Sequence, residues 1–253
     1  MPEYRKLIDS SDYLAVAYDE ADAEIYSIPL KDIYCYLITG AGKTGKTNYM
    51  KAMLQAAIDK KAHIAVLDGP KKEFKIYNNK ENVHYMSEEK TIFEYFRDEL
   101  TPVFQRRNRV KNDMLALEND EMDIYEKMSS EQPYFIFISD LSWFIKMIYK
   151  SEHSMSGFME NLISKGRYHN IYFIAEIALN KLSEVRGYRA FEAFVEYGTG
   201  VHFGGKCNDN TIMSFEYMSY SEKTVSEKTG VGTLPGESTY KGTKKIVVPL
   251  ARK

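Results

Sequence analysis

One octapeptide restricts the possible folds of this chain more than any other feature. Gly40-Ala41-Gly42-Lys43-Thr44-Gly45-Lys46-Thr47 matches the pattern G-x-x-x-x-G-K-[ST] at every fixed position. Such a loop turns its backbone N–H groups toward phosphate oxygens, and the helix behind it adds the positive end of its dipole. The pattern carries this meaning only between a strand and a helix. Residues 33–39 are an apolar run of buried-strand length and residues 47–60 read as a helix, so that context is met. Lys46 then offers a point charge to the outer phosphates and Thr47 a ligand to Mg²⁺, while Asn48 closes the cradle. The expected cofactors are ATP and Mg²⁺.

Binding ATP is not the same as hydrolysing it. Hydrolysis also needs a carboxylate that holds the metal's water and a group that activates the attacking water. Asp140 follows the apolar run 134–138 and fits the first role, as a second Mg²⁺ residue beside Thr47. An aspartate there also reads as the N-cap of the next helix, and one residue can do both. Many hexameric ATPases place a glutamate at the following position; here it is Leu141, which cannot accept a proton. Ser142 and Trp143 are poor bases, so slow turnover is expected. Glu176, at the tip of the fourth strand run, is the only nearby substitute. Its simpler reading is a solvated strand-end glutamate, because a carboxylate close to a γ-phosphate repels it unless a cation intervenes.

Ring ATPases often lend an arginine to the neighbouring subunit's site. Arg106 and Arg107, with Arg109, are the candidates, on a segment that also reads as a solvated helix face. Tyr188, Phe191, Phe194 and Tyr197 are candidates for an exposed aromatic patch. Packing against a sheet explains their spacing better.

Strand-like runs recur along the chain at 33–39, 64–67, 134–138, 171–175 and 200–203, separated by helix-like stretches. This alternation predicts an α/β domain with a largely parallel sheet covered on both faces. Runs at 13–18 and 23–28 flank an acidic turn and read as a hairpin, which Pro29 ends. Glycine, proline and a β-branched run over 230–249 predict a closing hairpin. A charged helical stretch is expected over 88–119, with Pro102 starting a new turn. One domain over 1–253 is the simplest parse: leading hairpin 1–32, nucleotide-binding core 33–205, extension 206–253.

Composition removes several classes of function. The chain has 253 residues, 44% of them apolar and 28% charged, as ordinary globular domains do. Its net charge of −2 argues against wrapping nucleic acid, which calls for a basic excess. Cys35 and Cys207 lack any ligand spacing and read as reduced thiols; no zinc site is expected. No run approaches the ~18 apolar residues of a membrane span. Met1-Pro2-Glu3-Tyr4-Arg5 does not open a signal peptide, so a soluble domain is expected.

Several of these features, in this order, resemble the FtsK/SpoIIIE-like ATPase modules of type VII secretion systems, and in particular the most C-terminal module of the EssC-type coupling ATPase. The P-loop is the specific motif. The hairpin over 14–30, Lys165-Gly166-Arg167, the segment 199–205 followed by Asn208, Gly230-Val231-Gly232 and Val247-Val248-Pro249-Leu250-Ala251 support it by their order. The resemblance implies a RecA-like fold and a membrane-anchored parent with tandem ATPase modules on the cytoplasmic face. It implies a ring, a homo-hexamer in the parent and a monomer as the isolated module. Its partners would be the parent's other modules and small helical secreted proteins. DNA-pumping members carry Asp-Glu where this chain has Asp140-Leu141, and Thr-Gln where it has Glu176-Ile177-Ala178. Two further readings remain open: a substrate receptor with a vestigial nucleotide site, and a DNA translocase module.

Overall fold

The structure, a computed structural model, describes residues 12–150, 155–236, 242 and 244–249. Met1 to Arg5, Glu237, Leu250 and Ala251 lie outside the described residues, as does the side chain of Arg167. In chain order the main elements are β1 (Tyr13–Asp19), β2 (Ile25–Pro29), β3 (Cys35–Gly40), α1 (Lys46–Asp59), β4 (His63–Leu67), β5 (Val83–Met86), α2 (Glu89–Tyr95), α3 (Thr101–Ala116), α4 (Glu121–Ser129), β6 (Tyr134–Ile138), α5 (Leu141–Lys150), α6 (Ser156–Lys165), β7 (Ile171–Ala178), α7 (Arg189–Glu196), β8 (Gly200–Gly205), α8 (Tyr220–Thr224), β9 (Glu227–Thr233) and β10 (Lys245–Val247).

These strands form one sheet in the order β2-β1-β10-β9-β8-β3-β7-β6-β4-β5. From β8 to β5 every pairing is parallel. Such strands are covered on both faces and tolerate no polar alternation. All of β3 is buried, as are Phe135 to Ile138 in β6 and Ile171 to Ala175 in β7. From β8 to β2 the pairing turns antiparallel. Both expected hairpins are therefore present and they join each other: Tyr18 faces Val247 and Asp19 faces Ile246. In the leading turn, Asp19 and Asp22 each accept an N–H two residues on, from Ala21 and Glu24, at 2.8 Å.

Four local details differ from expectation. Pro102 sits in the first turn of α3, as expected, but a π-helical stretch, Phe96–Leu100, leads into that helix. Proline supplies no N–H to the preceding turn, and the Thr101 hydroxyl bonds the Phe96 carbonyl at 2.6 Å. The edge strand β5 is only four residues long and lacks alternation, which hid it. Helix α4 is set by a capping box, in which Asp120 accepts from Met122 and Asp123 while Asp123 accepts from Asp120. Finally, β7 runs past residue 175 to Ala178, so Glu176 lies inside a strand.

Tyr188, Phe191, Phe194 and Tyr197 pack inward. Phe191 and Phe194 are buried, Phe194 meets Phe173 of β7 edge-on, and Tyr197 meets Tyr34 at 4.9 Å between ring centres. Among the described residues no helix is long and apolar enough to cross a membrane.

Candidate nucleotide-binding site

Parallel strands expose their carboxyl ends together, and α/β sheets build sites there. The octapeptide leaves the carboxyl end of β3, beside the ends of β7 and β8. Two glycines are needed for its path. Gly40 has φ +138°, and a Cβ there would collide with the Phe203 backbone of β8. Gly45 has φ +114° and caps α1 without any side-chain bond. No acidic residue occupies the first turn of α1 either. The first N–H groups of this helix therefore have no side-chain acceptor from the cap, and a phosphate is the group that suits them. A Cβ added at Gly42 would meet nothing within 4 Å, so the front of the loop is open.

The loop is braced from three directions. Thr44 Oγ1 donates to Ala41 O at 2.9 Å, and the Gly230 N–H of β9 donates to Thr44 O at 2.9 Å. Asn48 Nδ2 donates to Pro249 O at 2.7 Å, so its side chain is spent on the C-terminal segment and only its backbone remains for a cradle. Beneath the loop, Asn210 Nδ2 donates to Thr39 Oγ1 at 2.9 Å, and Thr39 Oγ1 lies 3.2 Å from His202 Nδ1. Burial pushes the His202 imidazole down to about 4.

Lys46 is 5% exposed, and its Nζ donates to Ala41 O at 2.5 Å within its own loop. Glu176 Oε1 stands 3.9 Å from that Nζ, and Glu176 Oε2 accepts the Thr47 hydroxyl at 3.0 Å. The solvated glutamate expected at 176 is thus mostly buried and bridges the two residues assigned to phosphate and metal. Burial raises its carboxyl above the usual range, more than Lys46 and Thr47 pull it down. Burial likewise lowers the Lys46 ammonium.

Asp140 and Glu176 line one pocket with Gly69, Lys71, Ser139 and Lys181. Asp140 Oδ1 accepts the Trp143 N–H at 3.1 Å, so it does cap α5. Its other oxygen lies 2.5 Å from Lys181 Nζ. Lys181 carries no sequence signal, since it sits in a short helical turn after β7. Nor does buried Asp68, whose Oδ1 accepts Ser139 Oγ at 2.9 Å and whose Oδ2 accepts Phe74 N at 2.9 Å. This braces the end of β4 against the end of β6. Leu141 is fully buried and the Ser142 hydroxyl donates to Glu184, so neither faces a reacting water.

The residues present fit a Mg²⁺–nucleotide. Mg²⁺ takes one or two protein ligands and fills the rest with phosphate oxygens and water. Among the described residues no group of three His, Cys, Asp or Glu gathers as a metal cage.

The arginines are elsewhere. Arg107 is buried and donates to His169 O at 2.6 Å, Asn170 O at 3.2 Å and Gln132 O at 2.7 Å. These carbonyls precede β6 and β7, at the amino ends of the parallel strands, opposite the P-loop. A guanidinium committed to three carbonyls is not free to reach a neighbour, so the structure corrects the expected solvated face at this position. Arg106 is exposed and pairs with both oxygens of Glu131, at 2.7 and 2.6 Å.

No family model matches the chain, and no curated protein does. Solved structures do. EssC (ATPases 2 and 3) from Geobacillus thermodenitrificans superposes over 98% of this chain with a TM-score of 0.76 at 16% identity. The chain has the fold of an EssC-type ATPase module. Thermomonospora curvata EccC (ATPases 2 and 3), in complex with a signal sequence peptide, superposes over 97% with a TM-score of 0.65 at 14% identity. The pCW3 conjugation coupling protein TcpA, in a monomer form with ATPγS, gives 0.68 over 96% at 12% identity. The chain spans 43% of the EssC chain, 42% of the EccC chain and 67% of TcpA. The architecture is RecA-like: a P-loop after a central strand, parallel neighbours on both sides, and helices on both faces.

Proposed function

We propose that this chain is an ATP-binding module of a type VII protein-secretion motor. The observation that carries the reading is the cradle: an open glycine loop, an uncapped helix N-terminus and Lys46 folded into the loop's centre. Residues 40–48 hold the phosphates, and Thr47 and Asp140 hold Mg²⁺. When bound, Mg²⁺ neutralises phosphate charge. Leu141 offers no base, so intrinsic hydrolysis is weak, and ATP serves to set conformation and subunit contact. Glu176 is the proposed catalytic substitute in a pocket that Glu73 also lines.

The partners are small helical secreted proteins and the other ATPase modules of a longer, membrane-anchored parent, which assembles as a hexamer. The module itself faces the cytoplasm and is monomeric when isolated. Support for the substrate class comes from EccC, whose structure holds a signal sequence peptide. Nucleic acid is not a partner, consistent with the net charge of −2. The competing reading is a substrate receptor with a vestigial site, in which Glu176 would hold Lys46 and Thr47 permanently.

Calorimetry separates the two. Heat on addition of Mg-ATP that disappears in Lys46→Ala supports the first reading, and no heat at high ATP sinks it. A pull-down with the secreted proteins encoded beside the gene tests the partner assignment.

A further inference from the structure

We infer that Glu176 is a specificity-determining carboxylate of the nucleotide site: it yields Lys46 and Thr47 to metal-bound nucleotide and withholds them from metal-free nucleotide. The inference rests on the ATP-binding reading above.

The geometry sets up a competition. Glu176 spans two residues of the loop, with one oxygen 3.9 Å from Lys46 Nζ and the other accepting the Thr47 hydroxyl at 3.0 Å. A phosphate needs the first and a metal needs the second. Both partners belong to the strand–loop–helix unit of β3 and α1, whereas Glu176 belongs to β7, so Glu176 is the group that can let go. It is 15% exposed, and water screens its charge poorly.

Charge then decides what can replace it. Metal-free ATP carries a triphosphate toward a site that already contains this carboxylate. Taking Lys46 leaves two anions side by side with no cation between them. Mg²⁺ removes that conflict in two ways. It lowers the charge of the incoming group, and it gives the Thr47 oxygen a partner that does not need the carboxylate. Lys71 and Lys181 line the same pocket and are the cations there that could pair with a released carboxylate. Lys181 faces Asp140, so a cation at Asp140 and a carboxylate at Lys181 are compatible occupants.

A role for Glu176 as an additional holder of the metal's water predicts the opposite sign, since its loss would then weaken Mg-ATP. The experiment is calorimetry of the 253-residue chain, of Glu176→Gln and of Glu176→Ala, each titrated with ATP in excess Mg²⁺ and again in chelator. Circular dichroism confirms that each variant is folded. In the unmodified chain, Mg-ATP binds more than tenfold tighter than metal-free ATP. In both variants metal-free ATP gains roughly tenfold and the ratio narrows. Binding seen only in the variants overturns the inference, because it shows a carboxylate that does not yield to metal-bound nucleotide. An unchanged ratio, or a loss of Mg-ATP affinity in the variants, overturns it while leaving ATP binding intact. No heat from any of the three proteins overturns the ATP-binding reading itself, and this inference with it.

Discussion

Lys181 Nζ stands 2.5 Å from Asp140 Oδ2, although 41 residues separate the two in sequence. Asp140 is therefore not a bare carboxylate waiting for metal. It is a helix cap with one oxygen and an ion-pair partner with the other. Any cation that uses Asp140 competes with Lys181. Removing that competitor in Lys181→Met lowers the Mg²⁺ concentration needed for half-maximal ATP binding by about threefold, as expected of a pair that is partly exposed. A midpoint that stays put or rises shows that Lys181 supports the metal's site instead of competing for it.

The P-loop glycines differ in what they protect. In Gly40→Ala the new Cβ meets the Phe203 backbone in a strand that cannot move aside, and φ +138° is strained for any side chain. The cost is about 3 kcal/mol or more, read as a fall in the urea midpoint. Gly42→Ala has open space and shifts stability by less than about 0.5 kcal/mol. Equal midpoints for the two variants contradict the geometry of the loop.

Arg107 organises the amino ends of the parallel strands, opposite the P-loop. Its guanidinium satisfies the carbonyls of Gln132, His169 and Asn170 and lies 5.2 Å from the Tyr134 ring centre. Arg107→Met strands the Gln132 and His169 carbonyls and costs about 3 kcal/mol, and Arg107→Lys does not restore it because an ammonium cannot span the fork. Arg106→Ala, which loses one exposed pair, costs less than about 1 kcal/mol. Chemical denaturation of the three variants ranks them. A stable Arg107→Met would free this residue for a role in a neighbouring site.

Two buried histidines make the fold acid-sensitive. Burial lowers both His169 and His202 from 6.5 to about 4. The unfolded chain binds these protons first, so stability is complete above about pH 6.5 and is lost as pH falls toward about 4. Each histidine contributes on the order of 3 kcal/mol across that window. Urea midpoints at pH 7 and pH 5 should differ clearly, and His169→Gln should flatten the dependence. A midpoint independent of pH over this range refutes the assignment.

The sheet's parallel half was legible because its strands are continuous apolar runs, the pattern that two-sided burial demands. Strand β5 and helix α4 were not, since four residues on an edge and a capping box of aspartates carry little periodicity. The two hairpins were visible singly. Their union was not, because Tyr18 and Val247 are neighbours only across the sheet.

The same division runs through the site. Residues 40–47 announce themselves locally, since their role depends on backbone conformation and on a helix that begins at once. Asp140 was placed by the strand before it. What surrounds them was settled only by tertiary structure: Glu176 reaches Thr47 across 129 residues, and Pro249 reaches Asn48 across 201. A carboxylate at a strand end reads as solvated until the neighbouring strand is known, and a lysine in a short turn reads as surface until it meets an aspartate. Sequence determined that this chain builds a glycine loop at the start of a helix, because glycine geometry and a helix dipole are local properties. Folding decided which charges gather around that loop, because Coulomb forces act between whatever the sheet brings together.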